Sequence, residues 1–313
     1  MPAYVVDKPL GLTSHDVVAR ARRMLGTRRV GHGGTLDPLA TGVLVVLAEE
    51  ATKLSPFLTG SDKSYVAWIA FGVGTPTLDA EGPVDARADA AFVTEAAVAA
   101  ALPPFLDVAL QAPPAYSAVK RGGVKGYEAA RRGEELDLPP RPAGYRDVRL
   151  LAFGRLADLP TGWRWDGAAC RPDPAAAAAM PTPLDPDAPA AVVALRVRGG
   201  TYVRAFARDL GAALGVPAHL AALRRTRAGS ADLGAAVPLD GLADAAPIDP
   251  VALLGLPTVA LDDGSARRVR DGRRDPATFE GRAALVDGDG ALVAVADAVE
   301  GRCVLVRVWR GAI

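Results

Sequence analysis

Between Gly31 and Gly42 the chain reads Gly-His-Gly-Gly-Thr-Leu-Asp-Pro-Leu-Ala-Thr-Gly and runs straight into Val43-Leu44-Val45-Val46-Leu47. Four glycines in these twelve residues allow backbone paths that a Cβ would forbid, and the apolar run behind them reads as a buried strand. Asp37-Pro38 has the chemistry of a helical start, with Asp as N-cap and Pro at the first helical position. One carboxylate is thereby held at the lip of a core element, with His32 and Thr35 on the same loop. The stretch is not a phosphate loop, because no Gly-Lys-Ser/Thr follows its glycines, and it is not a dinucleotide fingerprint. On local chemistry, Asp37 either caps a short helix or presents its carboxylate for a reaction.

At 313 residues the chain can bury a large core and form more than one domain. Half of it is hydrophobic, yet no apolar run is long enough to cross a bilayer, and Met1-Pro2-Ala3-Tyr4 opens onto a strand rather than a signal peptide. A soluble, cytoplasmic protein is expected, with no membrane association. Cys170 and Cys303 stand far apart with no Cys-x-x-Cys pair, which points to neither a disulfide framework nor a zinc site. The formal net charge of +0 argues mildly against a nucleic-acid partner, but its distribution argues the other way. Arginines cluster at 20, 22, 23, 28 and 29, at 204, 208, 224, 225 and 227, and at 267, 268, 270, 273 and 274, with Lys120, Arg121, Lys125, Arg131 and Arg132 as a further group. One such cluster is compatible with a solvated face; four of them suggest a surface that follows phosphates.

In chain order, residues 3–7 read as a strand ending at Lys8-Pro9, and Thr13-Ser14 starts a helix in which Val17, Val18, Ala21, Met24 and Leu25 share one face. A short helix over 50–58 precedes an alternating strand over 63–73. Thr94 opens an alanine-rich helix stopped by Pro103-Pro104, and 145–156 and 191–198 are strands. The proline-rich stretch from 157 to 190, with its alanine tract and a net acidic balance, reads as a surface insertion, partly ordered at most. Short strands follow at 258–261, 283–287, 292–296 and 304–309, with Asp287-Gly288-Asp289-Gly290 as a hairpin turn.

The segment around Asp37 resembles the catalytic motif of the TruB family of tRNA pseudouridine synthases, departing from it at Gly33, where the family carries Thr. Asp7-Lys8-Pro9, Asp62-Lys63-Ser64-Tyr65, the loop from Gly72 to Gly82 with Pro76 in place of an Asp, and the run from Gln111 to Lys120 resemble further family motifs in the same order, as do Gly200-Thr201-Tyr202-Val203-Arg204 and His219 to Arg225. The likeness covers residue 4 to about 245, interrupted by the insertion.

What the resemblance implies can be stated residue by residue. The fold would be α+β, a pseudouridine synthase fold with a mixed, largely antiparallel central sheet flanked by helices. Residues 1–248 would form the catalytic domain, and 249–313 a small β-rich, PUA-like RNA-binding domain. Asp37 would be the catalytic aspartate, Tyr65 would stack on the target uracil and be placed to move a proton, and Arg204 would pair with Asp37 and favour its ionised form. Tyr202 would face the same site, Leu223 would close the apolar side of the pocket, and His32 would fill the place of a flipped base. Lys120 would contact the RNA backbone; Lys8 would either contact RNA or orient the catalytic loop. His219 reads as structural.

The implied reaction turns uridine 55 in the T loop of tRNA into pseudouridine. It breaks N1–C1′ and joins C5 to C1′, so it is an isomerisation that calls on no cofactor and no metal, and it requires the base to be flipped out at a cost of about a few kcal/mol. Asp37 would act as nucleophile at the sugar or the uracil ring, or as the base that starts a glycal route. A two-carboxylate, glycosidase-like site is not expected, since one acid alone sits in a motif of this kind. The expected partner is the T-arm stem-loop of tRNA, met by a monomer with no obligate protein partner. Two other readings remain open at this point: a tRNA-binding or folding factor for which Asp37 is dispensable, and a guide-RNA-dependent relative of the dyskerin type.

Overall fold

The computed structural model describes residues 1–117, 119–134, 137–165, 170–273 and 276–310; of Lys120, Lys125, Tyr127, Arg131 and Trp165 it describes the backbone only. Among the described residues, nine strands form one sheet. Its long members are β1 (Ala3–Lys8), β2 (Val30–His32), β3 (Ala40–Ala48), β4 (Lys63–Phe71) and β5 (Tyr145–Arg155). A separate hairpin, β6 (Gly162–Trp165) and β7 (Cys170–Ala177), comes next, and β8 (Pro189–Val197) and β9 (Ala218–Ala228) return to the sheet. Across the sheet the order is β5-β8-β4-β9-β3-β1, with Val237–Pro238 beside β1. β9 runs parallel to β3, and Val237–Pro238 parallel to β1; the remaining pairings are antiparallel. This is the mixed, largely antiparallel α+β sheet that the resemblance implies.

β3 shows why its sequence is apolar without alternation, since all nine of its residues are buried. Leu44 and Val46 face a core built with the helices α1 (Ser14–Met24), α2 (Glu95–Ala101) and α3 (Val203–Ala213), while Val43, Val45 and Leu47 face the other way onto Leu253, Leu292, Val295 and Trp309. Layers on both faces of a strand remove the need for a polar side. α1 begins as its sequence predicts. The Thr13 hydroxyl accepts from the Asp16 amide at 3.0 Å and the Asp16 carboxylate accepts from the Thr13 amide at 2.8 Å, a reciprocal cap.

The C-terminal strands are β10 (Thr258–Ala260), β11 (Arg282–Val286), β12 (Leu292–Val299) and β13 (Arg302–Val308), paired in that order, with the helix α4 (Asp263–Arg270) packed on them. This is a small β-rich unit of the kind expected, and α4 carries Arg267, Arg268 and Arg270 of the last basic group; Arg274 lies outside the described residues.

The insertion is more ordered than its composition suggests. Trp163, 4% exposed, packs with Leu156, Leu159 and Ala188 over Val66, Trp68 and Val192 of the sheet. The indole N–H groups of Trp68 and Trp163 both donate to the Pro160 carbonyl, at 3.0 and 3.1 Å. Burying an aromatic of this size contributes about 1.5–3 kcal/mol, enough to hold a hairpin that low-complexity flanks would leave loose.

Candidate active site

Two glycines decide the path of the loop that carries Asp37. Gly42 has φ +100°, and a Cβ there would stand 2.1 Å from the Arg225 carbonyl, so only glycine lets β3 lie against β9. At Gly33 a Cβ would come within 3.0 Å of Leu58 and 3.3 Å of Val45. The departure from Thr at this position therefore has a physical reason: Leu58 fills the space that a side chain would occupy.

Asp37 does not start a helix. The Ala40 amide donates to the Asp37 carbonyl at 3.0 Å, closing a turn with Pro38 at its second position, and the chain enters β3 at once. The loop is tied down from four sides. The Ser14 hydroxyl donates to the Leu36 carbonyl at 3.1 Å and accepts from the Leu36 amide at 2.8 Å. The Gly11 amide donates to the Pro38 carbonyl at 2.9 Å. The Lys8 ammonium, fully buried, donates to Pro9, Leu12 and Pro38 carbonyls at 2.9, 2.6 and 3.4 Å. The fourth tie is Arg225, 1% exposed, which donates to the carbonyls of Val43, Thr35 and Gly34 at 2.6, 3.1 and 3.1 Å.

Lys8 therefore sits behind the loop as an orienting residue; no part of its surface is free to meet RNA. Burial lowers its pKa to about 8, with the Glu81 and Asp37 carboxylates opposing the fall. Among the described residues no carboxylate forms an ion pair with Arg225. Burial works against its charge, and the Tyr65 hydroxyl and Asp37 work for it. Tyr65 and Arg225 are register partners on β4 and β9, and Leu223 is opposite Ala67 on the same pair of strands.

The Asp37 carboxylate itself, 36% exposed, meets Arg204 Nε at 2.9 Å. Arg204 is at the start of α3 and only 8% of its side chain is exposed. Its Nη1 donates to the Thr77 carbonyl at 2.9 Å and lies 3.6 Å from Asp79, and its Nη2 donates to the Tyr116 carbonyl at 3.0 Å. One fork thus reaches three loops. Pro76 belongs to this arrangement: it occupies the second position of a turn in which Leu78 N–H donates to Thr75 C=O at 3.0 Å, and that turn delivers the Thr77 carbonyl. Asp79 is 4% exposed on its side chain and accepts from the Thr77 hydroxyl at 2.6 Å. Burial raises its pKa, while Thr77 and Arg204 pull it down. Glu81 is raised first by burial and then by the charges of Asp79 and Asp37.

Tyr202 caps α3 from a position fixed by Gln111, whose side chain accepts from the Tyr202 amide at 3.0 Å and donates to its carbonyl at 3.2 Å. Burial raises the Tyr202 pKa, with the charges of Arg141 and Arg204 opposing the rise. His32 stands at the entrance of the loop. Its Nδ1 accepts from the Gly34 amide at 3.3 Å, which leaves the proton on Nε2 of a neutral ring. Burial lowers its pKa, as does His15, whose ring meets it edge-on at 5.6 Å. Leu223 is 7% exposed, its side chain in the same apolar core that Tyr65 packs against. The side chain of Lys120 lies outside the described residues. His219, fully buried with Nδ1 2.9 Å from the Val73 carbonyl, is structural.

Asp37 and Arg204 are thus brought into contact, Tyr202 directly precedes Arg204's helix, and Tyr65 is in register with Arg225, which holds the Gly34 and Thr35 carbonyls. Asp79, Gln111 and Arg225 were not singled out from sequence. Strand alternation carried a signal for Arg225, since it is two residues beyond Leu223 and so on the same side. The basic group of residues 204 to 227 is not a phosphate surface as a whole: Arg204 and Arg225 are buried, and Arg224 pairs with both oxygens of Asp7 at 3.0 and 2.8 Å. The site also holds more acid than one motif suggests, but Asp79 is spent on Arg204 and Thr77 rather than left as a second reacting carboxylate.

The family model for the N-terminal domain of TruB family pseudouridylate synthases matches residues 22–158, and that for the tRNA pseudouridylate synthase B C-terminal domain matches residues 204–249. The tRNA pseudouridine synthase B of Thermus thermophilus is 50% identical over 303 residues, covering 95% of this chain and 95% of that protein. The protein of the same name from Deinococcus radiodurans is 45% identical and covers 99% of this chain and 100% of its own. Among solved structures, a chain of a Cbf5-Nop10-Gar1 complex superposes with a TM-score of 0.68 at 24% identity, covering 98% of this chain and 84% of that one. A chain of an H/ACA RNP bound to a substrate RNA gives 0.64 at 22%, covering 99% and 86%. These two likenesses are of fold.

Proposed function

Since the chain belongs to the TruB family of pseudouridylate synthases and is an RNA pseudouridine synthase, we propose that it isomerises uridine 55 in the T loop of tRNA, with Asp37 as the catalytic aspartate. The observation that carries this reading is the Asp37–Arg204 pair at 2.9 Å, an exposed carboxylate on a buried guanidinium. Arg204 holds the Asp37 carboxylate in one place, as a nucleophile or a base requires. The flipped uracil lies between the Tyr65 ring and Leu223, and stacking there offsets part of the cost of unstacking, about a few kcal/mol. His32, neutral and partly buried, takes the vacated place in the RNA without adding a charge to the stack. Tyr202 shields the Asp37–Arg204 pair from water, and Lys120 and the arginines of α4 serve the phosphates. The C-terminal unit is read as an RNA-binding module, and the chain as a monomer acting without an obligate protein partner.

The extent of identity favours this over the guide-dependent reading. The fold is shared with chains of RNP complexes at 22–24% identity, whereas the 45–50% relatives over nearly the whole chain are named tRNA pseudouridine synthase B.

Joining C5 to C1′ expels the hydrogen on C5, so tritium release from a T-arm stem-loop labelled at that carbon reports the reaction. The chain alone, without any guide RNA, is expected to release tritium; Asp37→Asn is expected to bind the stem-loop within a few fold and release none. Substantial turnover by Asp37→Asn would refute the catalytic assignment. Binding without release by either protein would return the reading to an RNA-binding factor or a guide-dependent enzyme.

A further inference from the structure

A second cleft, of about 1010 Å³, opens between the inserted β6–β7 hairpin and the ends of β4, β5, β8 and β9. Its floor includes Ser64 and Val66, which alternate along β4 with Tyr65; Val66 belongs to the apolar cluster under Trp163, not to the one beneath Leu223 and α3. The cleft is therefore on the face of the sheet opposite Leu223, and Tyr65 is part of its lining.

Of the arginines that line the cleft, Arg149, Arg164 and Arg224 have Asp147, Asp173 and Asp7 as partners, and the surplus of positive charge falls at Arg146 and Arg196. Arg146 and Arg196 share a single oxygen of Asp62, at 3.7 and 3.4 Å, so one carboxylate faces two guanidiniums at loose distances. Their side chains are 58% and 62% exposed while that of Asp62 is 31% exposed. Across the cleft, Arg164 of the hairpin is 67% exposed and its partner Asp173 22%. In each case the acid lies lower and the planar fork faces water, an arrangement that leaves donors free for a second, bidentate acceptor.

We propose that this cleft binds backbone phosphates of the same tRNA outside its T arm, so that the insertion extends the RNA footprint around the edge of the sheet. The inference rests on the tRNA reading above. RNA is the partner the features fit, because exposed guanidiniums come both from the sheet strands, Arg146 and Arg196, and from the inserted hairpin, Arg164, in a cleft whose lining also includes Tyr65. A polyanion threading away from the site would meet them in turn.

The test compares full-length tRNA with the isolated T-arm stem-loop, using wild type, Arg146→Gln/Arg196→Gln and Arg164→Gln. The double variant is expected to weaken binding of full-length tRNA by about tenfold near 0.1 M salt and to reduce its salt slope by about 0.9 per arginine removed, with Arg164→Gln showing a smaller loss in the same direction. Binding and tritium release on the stem-loop stay within about twofold, which also reports an intact fold. Unchanged affinity for full-length tRNA, or equal losses on both RNAs, overturns the inference. Failure of wild type on both RNAs overturns the tRNA reading itself, and this inference with it.

Discussion

Arg204 is the residue on which the site turns. Burying a guanidinium is costly unless it is paired, and here the Asp37 and Asp79 carboxylates and the Thr77 and Tyr116 carbonyls meet it from three loops. Arg204→Ala removes the partner of Asp79, which is 4% exposed on its side chain. It is expected to lower stability by about 3 kcal/mol, read as a shift in the urea midpoint, and to impair turnover more than stem-loop binding. Equal loss of turnover and binding would make Arg204 a phosphate contact instead. Arg204→Lys keeps the charge but not the fork, so it is expected to recover stability in part and turnover little.

At the scale of the element, the loop from β2 to β3 is shaped by what lies under it. Gly33→Thr restores the residue that the family motif carries, yet it places a side chain on Leu58 at 3.0 Å. The substitution is expected to cost about 1–3 kcal/mol, as other overpacked sites do, and pairing it with Leu58→Ala should return part of the loss; both are read by thermal unfolding. Strand and helix positions were legible in the sequence wherever apolar spacing was local, as in α1, β4 and the C-terminal strands. The motif residues Asp37, Tyr202 and Arg204 were legible through their ordered resemblance. Arg225 was legible only as to its side of the strand, because alternation from Leu223 does not tell an arginine that holds carbonyls from one that holds phosphates. The hairpin in the insertion was hidden for a related reason. Trp163 is ordered by Trp68 and the Pro160 carbonyl they share, and composition records no such distant partner.

Over the whole molecule, the sheet is a wall between two cores. The C-terminal unit is not hung on a tether: Trp309, fully buried, packs with Val5, Val43, Val45 and Leu47 and donates its indole N–H to the Glu50 carbonyl at 3.1 Å. Trp309→Ala is expected to cost about 3–5 kcal/mol and, in calorimetry, to move a single transition rather than split off a separate melt of the C-terminal strands. Two independent transitions in wild type would contradict this coupling. The reach of Arg204 has one more consequence, in the order of synthesis. A nascent chain that has emerged only through residue 203 already carries Asp37, Asp79 and Tyr116 but lacks Arg204, which joins their three loops, and Arg225, which holds the Gly34 and Thr35 carbonyls. The site is therefore completed late in synthesis, first when α3 docks and then when β9 pairs between β3 and β4.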